Sequence, residues 1–125
     1  MTETAPVWNV MLATCPSRTS LAKIANKWTA MIVIALSDGP LRFGAIREQV
    51  GGISGKVLSE TLRDLERDGV LTRTAYDEMP LRVEYELTPL GQTLREPLTA
   101  LGLWAEHHIA QVLDARDAFD QRTGA

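Results

Sequence analysis

Sulfhydryl chemistry is almost absent from this chain: its 125 residues include one cysteine, Cys15. A lone cysteine excludes an internal disulfide and any cysteine-clustered zinc site, leaving only a bridge to a second chain or to a small thiol. Long apolar runs are missing too. The longest strictly apolar stretch, Ala30 to Leu36, falls far short of the roughly 20 residues a membrane-spanning helix needs, so it reads as a fully buried helix and no membrane partner is expected. Met1 to Val10 carries Glu3 but no basic residue, and no long apolar stretch precedes a cleavage site, which does not fit a signal peptide. A cytoplasmic location is the expectation. There is no internal repeat or low-complexity tract. Nothing resembles a nucleophile elbow, a P-loop or a dinucleotide fingerprint. His107 and His108 are adjacent, so on a helix they point about 100° apart and cannot share a metal as an i, i+4 pair can. Glu84 and Glu86 read as the solvated side of a strand. The chain is therefore not read as an enzyme, and no cofactor or metal is expected.

Hydrophobic residues at 45% and charged residues at 23% are the balance of a packed globular protein. The length suits one domain, alone or with an oligomerisation arm. In "CPSRTSLAKIANKW", Ser17, Thr19 and Ser20 are candidate N-caps for a short helix carrying Leu21, Ile24 and Ala25. The apolar run from Trp28 to Leu36 is a second helix, with Gly39 suited to a left-handed end and Pro40 stopping propagation. Phe43, Ile46 and Val50 give a third helix one apolar edge, and Gly51 and Gly52 turn the chain. Ser54 caps a fourth helix that Asp68 and Gly69 close. "VLTRTAY" and "VEYEL" then form a hairpin, the second strand placing Val83, Tyr85 and Leu87 on one face and Glu84 and Glu86 on the other. Thr88 and Pro89 start another helix, and Leu90, Leu94, Leu98, Leu101 and Trp104 keep helical spacing across Pro97, which predicts a kink or two helices meeting there. The fold class is mainly α with a small β-hairpin wing: a winged helix-turn-helix with terminal dimerisation helices.

The fourth helix carries the functional signal. Its apolar stripe, Leu58, Leu62 and Leu65, opposes a face with Lys56, Glu60, Arg63 and Arg67, and Ser59 lies to one side. Arg63 and Arg67 are an i, i+4 like-charge pair, relieved when a polyanion is near. Ser54 and Gly55 leave backbone N–H groups open at the helix start and permit close approach. In a helix-turn-helix this second helix enters the major groove, and the hairpin after it is a wing. A solvated amphipathic surface helix would look the same by itself; the order of elements favours double-stranded DNA as the partner. The net charge of −3 does not oppose this, because each well-placed cation contributes its own counterion release.

Several segments together resemble the HxlR-type family of bacterial winged helix-turn-helix regulators: Cys15-Pro16, "KWT" from Lys27, "LSDGPLRF" from Leu36, the pattern "GIS.K.L...L..LE.DG" from Gly52 to Gly69, and "RVEYELTPLG" from Arg82. The match runs from about Cys15 to Trp104. It departs at "ANKW", where two glycines commonly precede the lysine, and at "ISGK", where proline is common. The resemblance implies a homodimer, built through the terminal helices, that binds a pseudo-palindromic operator and represses or activates nearby genes. Position by position it implies contacts from Ser54, Lys56, Ser59 and Arg63 of the recognition helix, a backbone contact from Arg42 and a wing contact from Arg82. Gly55 belongs to the same surface, and Glu60 either accepts from cytosine or pairs with Lys56.

Some members of that family sense oxidants or electrophiles through a cysteine at the position of Cys15. Here Cys15 precedes a helix start with Arg18 nearby, two features that favour thiolate; the competing reading is a small buried hydrophobe. Residues 1–14 are expected to be an arm, flexible or in contact with a partner, 15–100 the DNA-binding domain, and 101–125 a dimerisation helix. Trp8, Leu101, Trp104, Ile109 and Val112 are the candidate dimer contacts, because the C-terminal arm is too long to fold back on so small a domain. From Ala115 the apolar pattern thins, and Gln121 to Ala125 are expected to fray. Two other readings use the same features: a dimeric interaction module whose winged-helix surface binds protein, and a small-molecule sensor with Trp8, Trp28 and Trp104 lining a cavity.

Overall fold

The computed structural model describes residues 7–124; residues 1–6 of the expected N-terminal arm, and Ala125 of the tail, lie outside them. Helices α1 (Pro16–Ile24), α2 (Lys27–Ala35), α3 (Phe43–Gln49) and α4 (Gly55–Arg67) come first. Strands β1 (Leu71–Tyr76) and β2 (Arg82–Leu87), a single-turn α5 (Pro89–Gln92) and the long α6 (Arg95–Thr123) follow. The core is one cluster in which Ile32, Val33 and Leu36 meet Ile46 and Val50 of the α3 region, the Leu58, Leu62 and Leu65 stripe of α4, Leu71 and Leu87 of the hairpin, and Leu98 of α6. This is a winged helix-turn-helix, as the order of elements predicts.

Three local expectations need correction. None of Ser17, Thr19 and Ser20 caps α1; Cys15 is the N-cap, and Pro16 at the first helical position starts the helix because its fixed φ is already helical. The run from Ala30 to Leu36 is not fully buried. One side carries Ile32, Val33 and Leu36 into the core, while Ile34 is 36% exposed on the other. A 3-10 turn, Leu36–Asp38, also separates α2 from Gly39. Gln121 to Thr123, where fraying is expected, are helical as part of α6, which ends in a left-handed Gly124.

The other signals hold. The Ser54 hydroxyl accepts from the Val57 N–H at 3.1 Å and so caps α4, and Gly69 takes a left-handed φ of 78° at its far end. The break near Pro97 is the junction of α5 and α6, which places Pro97 in the first turn of α6, where a missing N–H costs no intrahelical bond.

Two further joints fix the wing relative to the helices. Leu41, just before α3, exchanges both backbone hydrogen bonds with Tyr85 of β2, at 3.0 and 2.8 Å. Thr88 closes the other end: its N–H donates to the Val70 carbonyl at 3.0 Å, and its hydroxyl accepts from Gly91 N–H at 3.0 Å. The same hydroxyl lies within donating distance of the Gly69 and Val70 carbonyls, at 2.5 and 3.0 Å.

Candidate nucleic-acid interface

On α4 the two faces separate completely. Leu58, Leu62 and Leu65 are buried, whereas Ser54, Lys56, Ser59, Glu60, Arg63 and Arg67 are exposed and Gly55 is half-buried. Among the described residues none of Arg42, Lys56, Arg63 and Arg67 is in an ion pair, so the alternative of Glu60 bound to Lys56 is not realised. The helix thus presents cations that its own carboxylates leave free. Arg42 stands at the N-cap of α3 with its side chain exposed.

Arg47, in the last turn of α3, is a residue that the sequence reading missed. Its Nε donates to the Ile53 carbonyl at 3.3 Å, and its Nη1 lies 3.5 Å from where a Cβ on Gly55 would stand. It therefore braces the turn and brings a guanidinium to the N-terminus of α4. Its only sequence signal is a basic residue in the last turn of the helix before the double glycine.

In the wing, carboxylates take up the candidate cation. Arg82 Nε donates to Glu78 Oε2 at 2.6 Å, Nη1 donates to Glu84 Oε2 at 2.7 Å, and the guanidinium carbon sits 3.8 Å from the ring centre of Tyr76, its cross-strand neighbour. The hydrogen bond it donates to Glu78, and then that to Glu84, hold the guanidinium above its ordinary pKa. The structure thus gathers the predicted residues of α4 on one free surface and ties Arg82 to its own hairpin.

Cys15 is 9% exposed. The Asn9 N–H donates to its sulfur at 3.2 Å, and Ser17 Oγ lies 3.0 Å away, able to donate to a thiolate. The Ser17 hydroxyl, followed by the Asn9 N–H and the N–H groups of Ser17 and Arg18 at the start of α1, lowers the thiol pKa against the opposing effect of burial. In the last turn of α1, Lys23 Nζ lies 3.6 Å from Asp68 Oδ2 at the end of α4.

The candidate dimer contacts are open to solvent: Leu101 and Trp104 are each 55% exposed, Trp8 and Ile109 are exposed, and Val112 is half-buried. Val7, Met11, Leu12 and Leu21 are exposed at the N-terminal side, and Phe119 is exposed on α6. His108 stacks on Trp104 with ring centres 5.0 Å apart, and its Nδ1 is 2.9 Å from the Trp104 carbonyl. Among the described residues, Trp8, Trp28 and Trp104 do not share the cleft that opens beside α6. The cleft beside α6, about 530 Å³, is lined by Ser37, Gln92, Arg95, Glu96, Thr99, Ala100 and Leu103, and Trp28 packs against the core instead. Among the described residues no His, Cys, Asp or Glu cluster could hold a metal, and no helix is long and apolar enough to cross a membrane.

A recognition helix with a free basic face, set between a tight turn and a hairpin, defines a DNA-binding protein of the winged helix-turn-helix class. The HxlR-like helix-turn-helix family model matches residues 23–113, and the chain belongs to that family of transcriptional regulators. It is 42% identical over 109 residues to the HTH-type transcriptional regulator YtfH of Escherichia coli, covering 87% of this chain and 86% of that one. Among solved structures, the transcriptional regulator ytfH from Salmonella typhimurium superposes with a TM-score of 0.83 at 40% identity, covering 89% of this chain and 99% of that chain. The redox regulator HypR in its oxidised form gives 0.69 at 34% identity, over 74% of this chain and 96% of HypR.

Proposed function

We propose that the protein is a homodimeric operator-binding regulator in which the α4 helices of the two subunits enter successive major grooves of a pseudo-palindromic site. Ser54, Gly55, Lys56, Ser59, Glu60 and Arg63 form the reading surface, and Arg42 anchors the start of α3 to the backbone. The observation that carries this reading is the unpaired basic face of α4 opposite a wholly buried leucine stripe. Cations already held by carboxylates gain little at a phosphate, whereas free ones release a counterion each. The exposed apolar surface of α6 supports a second subunit as its cover. Titration of the protein against DNA upstream of its own gene, over a range of salt, tests this. Lys56→Ala with Arg63→Ala should weaken binding and flatten its salt dependence; unchanged binding by the double variant would return the winged-helix surface to a protein partner.

Modification of Cys15 by an oxidant or electrophile is proposed as the input. The hydrogen bonds that favour the thiolate, and the place of Cys15 at the start of α1 beside exposed Met11 and Leu12, support a thiol whose modification disturbs the N-terminal segment. Half-sites one helical turn apart, about 34 Å, make a dimer sensitive to any change in the separation of its reading helices. Diamide should release the operator from the parent protein but not from Cys15→Ser; equal release from both removes the switch and leaves the regulator.

A further inference from the structure

Arg82 is the cation that resemblance assigns to the DNA-contacting wing, and its guanidinium is already occupied on three sides. Glu78 takes Nε, Glu84 takes Nη1, and the Tyr76 ring covers one face at 3.8 Å. These partners come from three parts of the hairpin: Tyr76 ends β1, Glu78 lies in the connecting loop, and Glu84 follows Arg82 on the same side of β2. The guanidinium therefore closes the hairpin end as a cross-link.

A bidentate phosphate contact would have to disturb this arrangement, since every adjacent pair of guanidinium nitrogens includes Nε or Nη1. Bidentate recognition of phosphate needs two adjacent N–H groups of the fork, and the carboxylates hold donors on both sides of it. Displacing them would leave Glu78 and Glu84 unpaired beside the DNA backbone, with Asp77 next to them in the chain. The ion balance is equally unfavourable. A phosphate that binds Arg82 gives up a condensed cation, but the two carboxylates left beside the DNA repel its phosphates, which offsets that gain. What the loop offers outward is Met79 and Leu81, both apolar and exposed.

We propose that Arg82 is a positioning residue of the wing and not a phosphate contact, because Glu78 and Glu84 outcompete DNA for its guanidinium. The inference rests on the DNA-binding reading above and departs from the wing contact that family resemblance implies. The phosphate contacts then belong to the helices, and the wing adds shape without adding salt dependence.

Salt-dependence slopes of full-length protein on duplex DNA separate these roles. Arg82→Gln should keep the parent slope, even where it loosens the hairpin and lowers affinity. Glu78→Gln with Glu84→Gln frees the guanidinium and should steepen the slope by about 2 per dimer, one added phosphate on each wing at about 0.9 each. A merely structural role for the cluster would not produce that gain. A slope flattened in Arg82→Gln, or unchanged in the double glutamine variant, overturns the proposal while leaving DNA binding intact. A parent protein with no salt-dependent binding to any duplex overturns the DNA reading and this inference together.

Discussion

At the scale of single residues, short hydrogen bonds decide chemistry that residue type alone leaves open. Cys15 titrates below the ordinary thiol value because the Ser17 hydroxyl and the Asn9 N–H favour the thiolate. A lowered folded pKa stabilises the fold above the unfolded thiol pKa, and that contribution is lost as pH falls through the folded value. The pH profile of iodoacetamide alkylation, followed by mass spectrometry, should therefore have its midpoint below that of a free cysteine. Ser17→Ala should move it upward, and a profile indifferent to that substitution would remove Ser17 as the cause. The position of Cys15 before a helix was legible in the sequence; the Asn9 donor was not, because it depends on how the preceding turn folds back. Arg82 is the converse case. Strand alternation places Glu84 on its side of β2 and was readable, yet the Glu78 and Tyr76 contacts arise only when the hairpin closes.

At the scale of elements, burial and close contact override intrinsic preference. Leu62 sits in the middle of the α4 stripe and is buried, so Leu62→Ala should cost about 2–5 kcal/mol, read from denaturant unfolding. Gly91 is a sharper test. Replacing a helical glycine by alanine ordinarily stabilises by up to about 1 kcal/mol, but a Cβ here would collide with the Val70 carbonyl oxygen, in the joint that Thr88 closes. Gly91→Ala is therefore expected to destabilise by about 1–3 kcal/mol, and a rise in melting temperature would show that the joint yields. Helix existence, the α4 cap and the strand faces followed from period and cap chemistry. The α1 cap did not, since three hydroxyl residues compete on paper and the proline at the first helical position settles the start. The Leu41 to Tyr85 pairing also left no local trace: two residues make it, too few for a strand pattern.

For the whole molecule, α6 is the deciding element. Its 29 residues span about 43 Å, and Leu98 is the one residue of the helix that is fully buried within the subunit. Leu101, Val112 and Phe119 fall within about 20° of one another around its axis, a stripe whose two ends, Leu101 and Phe119, the described residues leave exposed. Leu101→Glu with Trp104→Glu should give a monomer by sedimentation while the helical signal persists, and operator affinity should fall because a single half-site remains. A variant that stays dimeric would place the interface elsewhere. Local sequence determined which segments are helix, strand and turn, and which face of α4 is apolar, because those follow from the periods of 3.6 and 2 and from short-range caps. Tertiary structure alone decided which cations are free. Arg63 and Arg82 are the same residue type with carboxylates near both in sequence, yet the folded hairpin sets Glu78 and Glu84 on Arg82 while none pairs with Arg63; ion pairing acts through space, over distances that the order of residues does not fix.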